Sequence, residues 1–200
     1  MKLKVILWIF MVFLVAFVLL TGEALLTQRS LEDKTLRLHV VANSDGAEDQ
    51  AQKLRVRDHV LKTVSDLTSN CNTLEETEVV IGSHLEDIQC SAQELLREEG
   101  SAYSVKVTLC QEEFMTRDYD GFSLPAGTYH SLRVVIGSGQ GKNWWCVVFP
   151  SLCAASSVEE FEASARQGGY EENEISLIRK KESRFYVQFK MVEILRGLFR

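Results

Sequence analysis

Apolar and polar positions follow several different spacings along this chain, and each spacing predicts a different element. An unbroken apolar run of sixteen residues, Val5 to Leu20, follows the basic start MKLK and predicts a hydrophobic helix. From Leu36 to Ala42 the period is two: Leu36, Leu38, Val40 and Ala42 alternate with Arg37, His39 and Val41, and the strand ends in Asn43-Ser44-Asp45. The period then lengthens. Between Ala47 and about Leu67, the residues Ala51, Leu54, Leu61 and Val64 share one helical face, widened by Val60 and Leu67. Ser44 or Asp45 is the candidate N-cap, and Glu48 and Asp49 complement the positive helix end. Thr73 and Glu76 form a capping box at the head of a second helical stretch, whose stripe from Leu74 through Ile81, Ile88 and Leu96 stops at Gly100.

Alternation returns at Tyr103, Val105, Val107 and Leu109, a strand with one buried face that Glu112 to Gly121 extends or bends. Pro125-Ala126-Gly127 turns the chain into a strand from Tyr129 to Ile136. Gly137, Gly139 and Gly141 then punctuate a polar loop, and Trp144 to Phe149 is aromatic and β-branched. Locally this reads as a hairpin. It is not a phosphate loop, which needs a glycine five residues before the Gly-Lys pair and Ser or Thr after it; Ile136 and Asn143 stand there. After Cys153 the chain turns polar and acidic, with a short helix and an exposed connection through Gly168-Gly169. Alternation around Arg184 to Val187 and a terminal amphipathic helix through Phe189, Val192, Leu195 and Leu198 or Phe199 close it. Central strands flanked by helices predict an α+β fold: a two-layer sandwich with a largely antiparallel sheet, preceded by one N-terminal hydrophobic helix.

The apolar run lies between the length of a signal-peptide core and that of a membrane span, and Gly22-Glu23-Ala24 offers small residues for cleavage after Ala24. Residues 1–24 are therefore a signal peptide or a membrane anchor, and residues 31–200 a single exported domain, the basic end staying cytoplasmic. The net charge is −6, and since Lys2, Lys4 and Glu23 together contribute +1, the exported part carries −7. Without a basic cluster this disfavours nucleic acid and polybasic membrane binding.

The five cysteines, Cys71, Cys90, Cys110, Cys146 and Cys153, show no zinc spacing, and the four histidines do not cluster, so no metal or cofactor is expected. In an oxidising exterior Cys146 and Cys153 either bridge across the Phe149-Pro150 exit or remain buried thiols. An enzyme would have to use Cys146 as nucleophile, His39 or His130 as base and Asp45 to orient it, and no local nucleophile signature surrounds Cys146. If Trp144 and Trp145 lie on a regular strand they point to opposite faces, one into the core and one exposed as a partner anchor or a sugar platform. Arg57 and Asp58, inside or beside the helix stripe, need a charged partner or border a functional surface.

Six segments resemble, in order, the stage II sporulation protein R family: LRLHVVANSD, KLRVRD, FMTRDYDGFSLPAGTY, SLRVVIG, NWWCVVFPSLC and RFYVQFKMVEIL. Ser151 departs from the proline expected after Pro150. The resemblance implies a non-catalytic signalling protein, exported across the forespore membrane into the intermembrane space. There it would activate a membrane-embedded aspartic protease that processes the precursor of sigma factor E. The alternative is an exported cysteine hydrolase or cell-wall-binding module. For an activator, the candidate partner surface is the polar stretch that matches the family's segments: Asn43, Ser44, Asp45, Asp49, Gln50, Lys53, Arg57 and Asp58, with Trp144 as a further anchor.

Overall fold

The computed structural model describes residues 2–179. Helix α1 (Lys2–Lys34) is continuous, and its last turns belong to the folded body. Leu31 is fully buried, Gln28 Nε2 donates to the Ala126 carbonyl at 2.5 Å, and Lys34 Nζ pairs with Glu174 at 3.0 Å. Toward its start the large apolar side chains of Val5 through Val12 are exposed. Among the described residues, no helix is long and apolar enough to cross a membrane.

The body follows as β1 (Leu36–Val41), α2 (Ala47–Leu67), α3 (Leu74–Ser83), α4 (Leu85–Glu98), β2 (Val105–Phe114), β3 (Arg117–Asp118), β4 (Ser123–Leu124), β5 (Gly127–Ile136), β6 (Asn143–Phe149), α5 (Val158–Gln167) and α6 (Glu172–Ile178). The main sheet has the order β2-β5-β1-β6. The expected hairpin does not form, because β1 lies between the two strands that the glycine loop joins. Leu38 stands opposite Leu132 of β5 in parallel and opposite Cys146 of β6 in antiparallel. All of β1 except His39 is buried, so its backbone and both its faces favour a central position. The sheet is consequently mixed: β2–β5 and β1–β6 are antiparallel around a parallel β5–β1 pair.

One face carries the larger core, where Leu36, Leu38 and Val40 meet Leu132, Val134 and Ile136 beneath α2, α3 and α4. Helix α2 presents a different stripe from the one its leucines suggest. Asp49, Gln52, Lys53, Val56, Val60 and Val64 turn inward, while Leu54 is 39% exposed. The reason is tertiary: the polar residues of its first turns bind the strand end and loop described below, and the i, i+4 row of valines follows them onto the sheet. Thr73 caps α3 as predicted, accepting from the Glu76 amide at 3.2 Å, and Gly100 ends α4 with φ +78°.

The opposite face holds a second core, including Leu31, Leu124, Val147, Phe161 and Ile178, formed by the end of α1, the β3–β4 ribbon, α5 and α6. Helices thus lie on both sides of the sheet, and at this end the two-layer sandwich acquires a third layer. The expected strand around Arg184 to Val187 and the terminal helix through Phe189 to Phe199 lie outside the described residues.

Candidate functional site

The end of β1 and the glycine loop, nearly a hundred residues apart in sequence, build one hydrogen-bonded knot. The Ala42 carbonyl accepts from Gly141 N at 2.9 Å and the Asn43 carbonyl from Gln140 N at 3.1 Å. Asn43 Oδ1 accepts from Ser138 N at 2.9 Å, and Asp45 Oδ1 accepts from Lys142 N at 2.7 Å. Gly141 passes so close to the Ser44 carbonyl that a Cβ would collide with backbone, and Gly139 sits at φ +63°. These two positions explain why the loop is glycine-rich without any phosphate to cradle.

Helix α2 locks the knot from below. Asp49 Oδ2 accepts from Ser44 Oγ at 2.5 Å and from Asn43 Nδ2 at 2.8 Å, and these hydrogen bonds, led by that of Ser44, hold its carboxyl below the usual carboxylate range. Gln50 Nε2 donates to the Ser44 carbonyl at 2.8 Å. Lys53 Nζ donates to Gln50 Oε1 at 2.7 Å and to the Lys142 carbonyl at 3.0 Å. Burial, reinforced by the nearby Arg57 charge, pushes the Lys53 ammonium below its ordinary value. The N-cap is Gly46, with no side-chain cap, since Ser44 and Asp45 are both engaged in the knot.

This geometry corrects the expected exposure of part of the candidate partner surface. Asp49 and Lys53 are buried, at 9% and 5% exposure, and act as struts; only Asp45 of the strand-end residues is open to solvent. Arg57 and Asp58 find their charged partner in each other at 2.7 Å. Trp144 and Trp145 do point to opposite faces: Trp144, half-buried, packs against the larger core, and Trp145 is half-buried on the other face. The Arg57 guanidinium lies 4.7 Å from the Trp144 ring centroid and that of Arg117 lies 3.6 Å from the Trp145 centroid. A sugar platform needs an uncovered ring, and each of these rings carries a guanidinium over one face.

On the Trp145 side a cavity of about 220 Å³ is lined by His39, Glu112, Phe114, Met115, Arg117 and Asn143 among others. The His39 ring stacks on Trp145 with centroids 5.6 Å apart. Its Nδ1 lies 3.2 Å from both Glu112 carboxylate oxygens and its Nε2 lies 3.0 Å from Asn143 Oδ1. Glu112 also accepts from Ser131 Oγ at 2.6 Å and pairs with Arg133 at 3.4 Å. Sequence reasoning missed Glu112, Arg117 and Asn143. The available signal was the phase of β2, which puts Glu112 on the face away from Val105 and Val107.

Cys146 and Cys153 form a disulfide with a Cα separation of 6.1 Å. Cys71, Cys90 and Cys110 are free. The cysteine-hydrolase assembly is not formed: Cys146 is oxidised, fully buried and on the sheet face opposite His39, while His130 Nδ1 is 2.6 Å from Glu78 and Asp45 holds the loop. Among the described residues no cluster of His, Cys, Asp and Glu is arranged to hold a metal ion.

Comparison with known proteins agrees with the family resemblance, five of whose six segments fall within the span that the family model matches. The family model described as stage II sporulation protein R matches residues 32–159, a span that contains the knot, both tryptophans and the disulfide. A curated relative, Stage II sporulation protein R of Bacillus subtilis (strain 168), is 34% identical in an alignment 191 positions long that covers 84% of this chain and 83% of the relative. No solved structure matches.

Proposed function

This chain belongs to the stage II sporulation protein R family, and from that premise we propose that it is an exported, non-catalytic signal that activates a membrane-embedded aspartic protease. The protease then cleaves the precursor of sigma factor E. On this reading the basic and then apolar first 24 residues direct export, and the folded body acts in the space between the forespore and mother-cell membranes, the compartment that the family resemblance implies. Activation requires that the body bind the protease's active arrangement more tightly than its inactive one, because a ligand shifts an equilibrium only through differential affinity.

The structural observation that carries the non-catalytic part is the Cys146–Cys153 bridge. It ties up the thiol on which the hydrolase alternative depended, and it leaves the molecule's chemistry in fixed hydrogen bonds that shape a surface. The experiment is reconstitution of the chain with the candidate protease and the sigma precursor. Precursor cleavage should rise with added chain; cleavage that is the same with and without it overturns the activator reading.

A further inference from the structure

The main sheet treats its two edges differently. On the β2 edge, helix α4 covers the outward amides: Gln93 Oε1 accepts from Val105 N at 2.7 Å and Gln89 Oε1 from Val107 N at 3.0 Å. Such coverage blocks a further strand from pairing there. Among the described residues the β6 edge has one comparable cover, at its exit, where Val147 N donates to Cys153 Sγ at 3.1 Å. Backbone groups alternate in direction along an antiparallel strand, so if Val147 N points away from β1, those of Trp145 and Asn143 do too. Among the described residues, the Trp145 backbone amide and carbonyl have no such cover.

The side chains around this open edge are cationic in a chain of net charge −6. Arg117 stacks on Trp145 on one face of the strand, and Lys142 precedes the strand. Neither makes an ion pair among the described residues. Of the carboxylates nearby, Asp58 is committed to Arg57, Glu112 to His39, Ser131 and Arg133, and Asp45 to the Lys142 amide, while Glu113, which also lines the cavity, has an interaction of its own.

We propose that the β6 edge is a docking strand for an extended, acidic segment of a partner protein, which pairs with the backbone of Asn143 to Trp145 and sets carboxylates against Arg117 and Lys142. Main-chain hydrogen bonds would supply affinity, and the alternate side chains of the incoming strand would enter the His39–Met115–Trp145 cavity or lie toward Trp144. A second copy of this chain is a poor occupant, because edge-to-edge pairing brings Arg117 and Lys142 of both copies together. The inference rests on the activator reading for its biological role, whereas the binding itself does not.

The test uses the full chain in detergent micelles and two fluorescently labelled, blocked peptides, Thr-Val-Glu-Asp-Val-Thr-Val and its Lys-Lys counterpart, read by anisotropy. The acidic peptide should bind saturably and at least about ten-fold more tightly than the basic one. Arg117→Glu with Lys142→Glu should remove or invert that preference, while Lys62→Glu, at an exposed position on α2, should leave it unchanged. Hydrogen exchange at the Trp145 amide should slow with the acidic peptide bound. No saturable binding, equal binding of both peptides, insensitivity to the double reversal, or a chain dimer that the acidic peptide fails to dissociate would each overturn the proposal. The precursor-cleavage assay separates the two readings. A wild-type chain that binds the peptide without stimulating cleavage sinks the activator reading alone, and a double reversal that loses the peptide but still activates sinks this edge as the activating surface.

Discussion

Asn43 Oδ1 accepts the amide of Ser138 at 2.9 Å across 95 positions of sequence, while Asn43 Nδ2 donates to Asp49 Oδ2 at 2.8 Å. One side chain thereby couples three pieces of chain: the end of β1, the glycine loop and the first turn of α2. Both ends of its amide are used, so the Asn cannot be replaced by an isostere that only accepts or only donates.

Asn43→Ala should therefore cost about 0.5–1.5 kcal/mol, the net worth of a typical hydrogen bond, since the exposed Ser138 amide can turn to water. Chemical denaturation measures the loss. Amide exchange should accelerate at Ser138 and Gln140 more than at the β2–β5 pairing, since the knot opens before the sheet does.

Gly141→Ala tests the closeness of the loop to β1. Its new Cβ would meet the Ser44 carbonyl, which is backbone held at both neighbours and has no rotamer to yield. A loss of about 1–3 kcal/mol is expected from overpacking. Gly46→Ala is the control, because there the nearest atom is the Ser44 hydroxyl at 3.3 Å.

Asp49 supplies a pH dependence. Its folded value lies below the ordinary 3.8 because Ser44 and Asn43 donate to the carboxylate. The folded state therefore binds this proton less readily than the unfolded state. The stabilisation is fully present above the ordinary value and is lost as pH falls through the depressed one. Wild type should accordingly lose more thermal stability than Asp49→Asn between about pH 5 and about pH 2, and parallel melting curves for the two proteins would contradict this.

The Cys146–Cys153 bridge closes a short loop, with a sequence separation of 7. The chain-entropy model gives about 2 kcal/mol for a loop of that size. Replacing both cysteines by Ala should lower stability by that order in denaturant titrations. Precursor cleavage should remain near wild type at temperatures where the variant is folded, and its complete loss from a folded variant would point to chemistry at the sulfurs.

Gln89 and Gln93 act as an edge guard. Replacing both by Ala uncovers the amides of Val105 and Val107, and concentration-dependent association should appear in sedimentation where wild type shows less.

What the sequence determined by itself is local. The apolar run, the alternation of β1 and β2, the Thr73 cap, the Gly100 stop and the opposite facing of Trp144 and Trp145 follow from side-chain period and backbone preference, which act within a few residues. The closeness of Cys146 and Cys153 was legible for the same reason, as a short excursion about a strand exit. The family too was legible, because six ordered segments carry it.

Tertiary structure decided everything that depends on which distant segments meet. A glycine-rich loop between two strands has the same local energetics whether the strands pair or part, and only the burial of β1 along nearly its whole length separates β5 from β6. Asp49 and Lys53 look like solvated helix residues in sequence, since polarity there predicts exposure. Burying them becomes tolerable once Asn43, Ser44 and the Lys142 carbonyl complete their hydrogen bonds, and those partners come from the strand end and a loop some ninety residues on. The same holds for the guanidinium groups that cover the two tryptophans: strand period sets which way each ring points, and packing alone decides what lies over it.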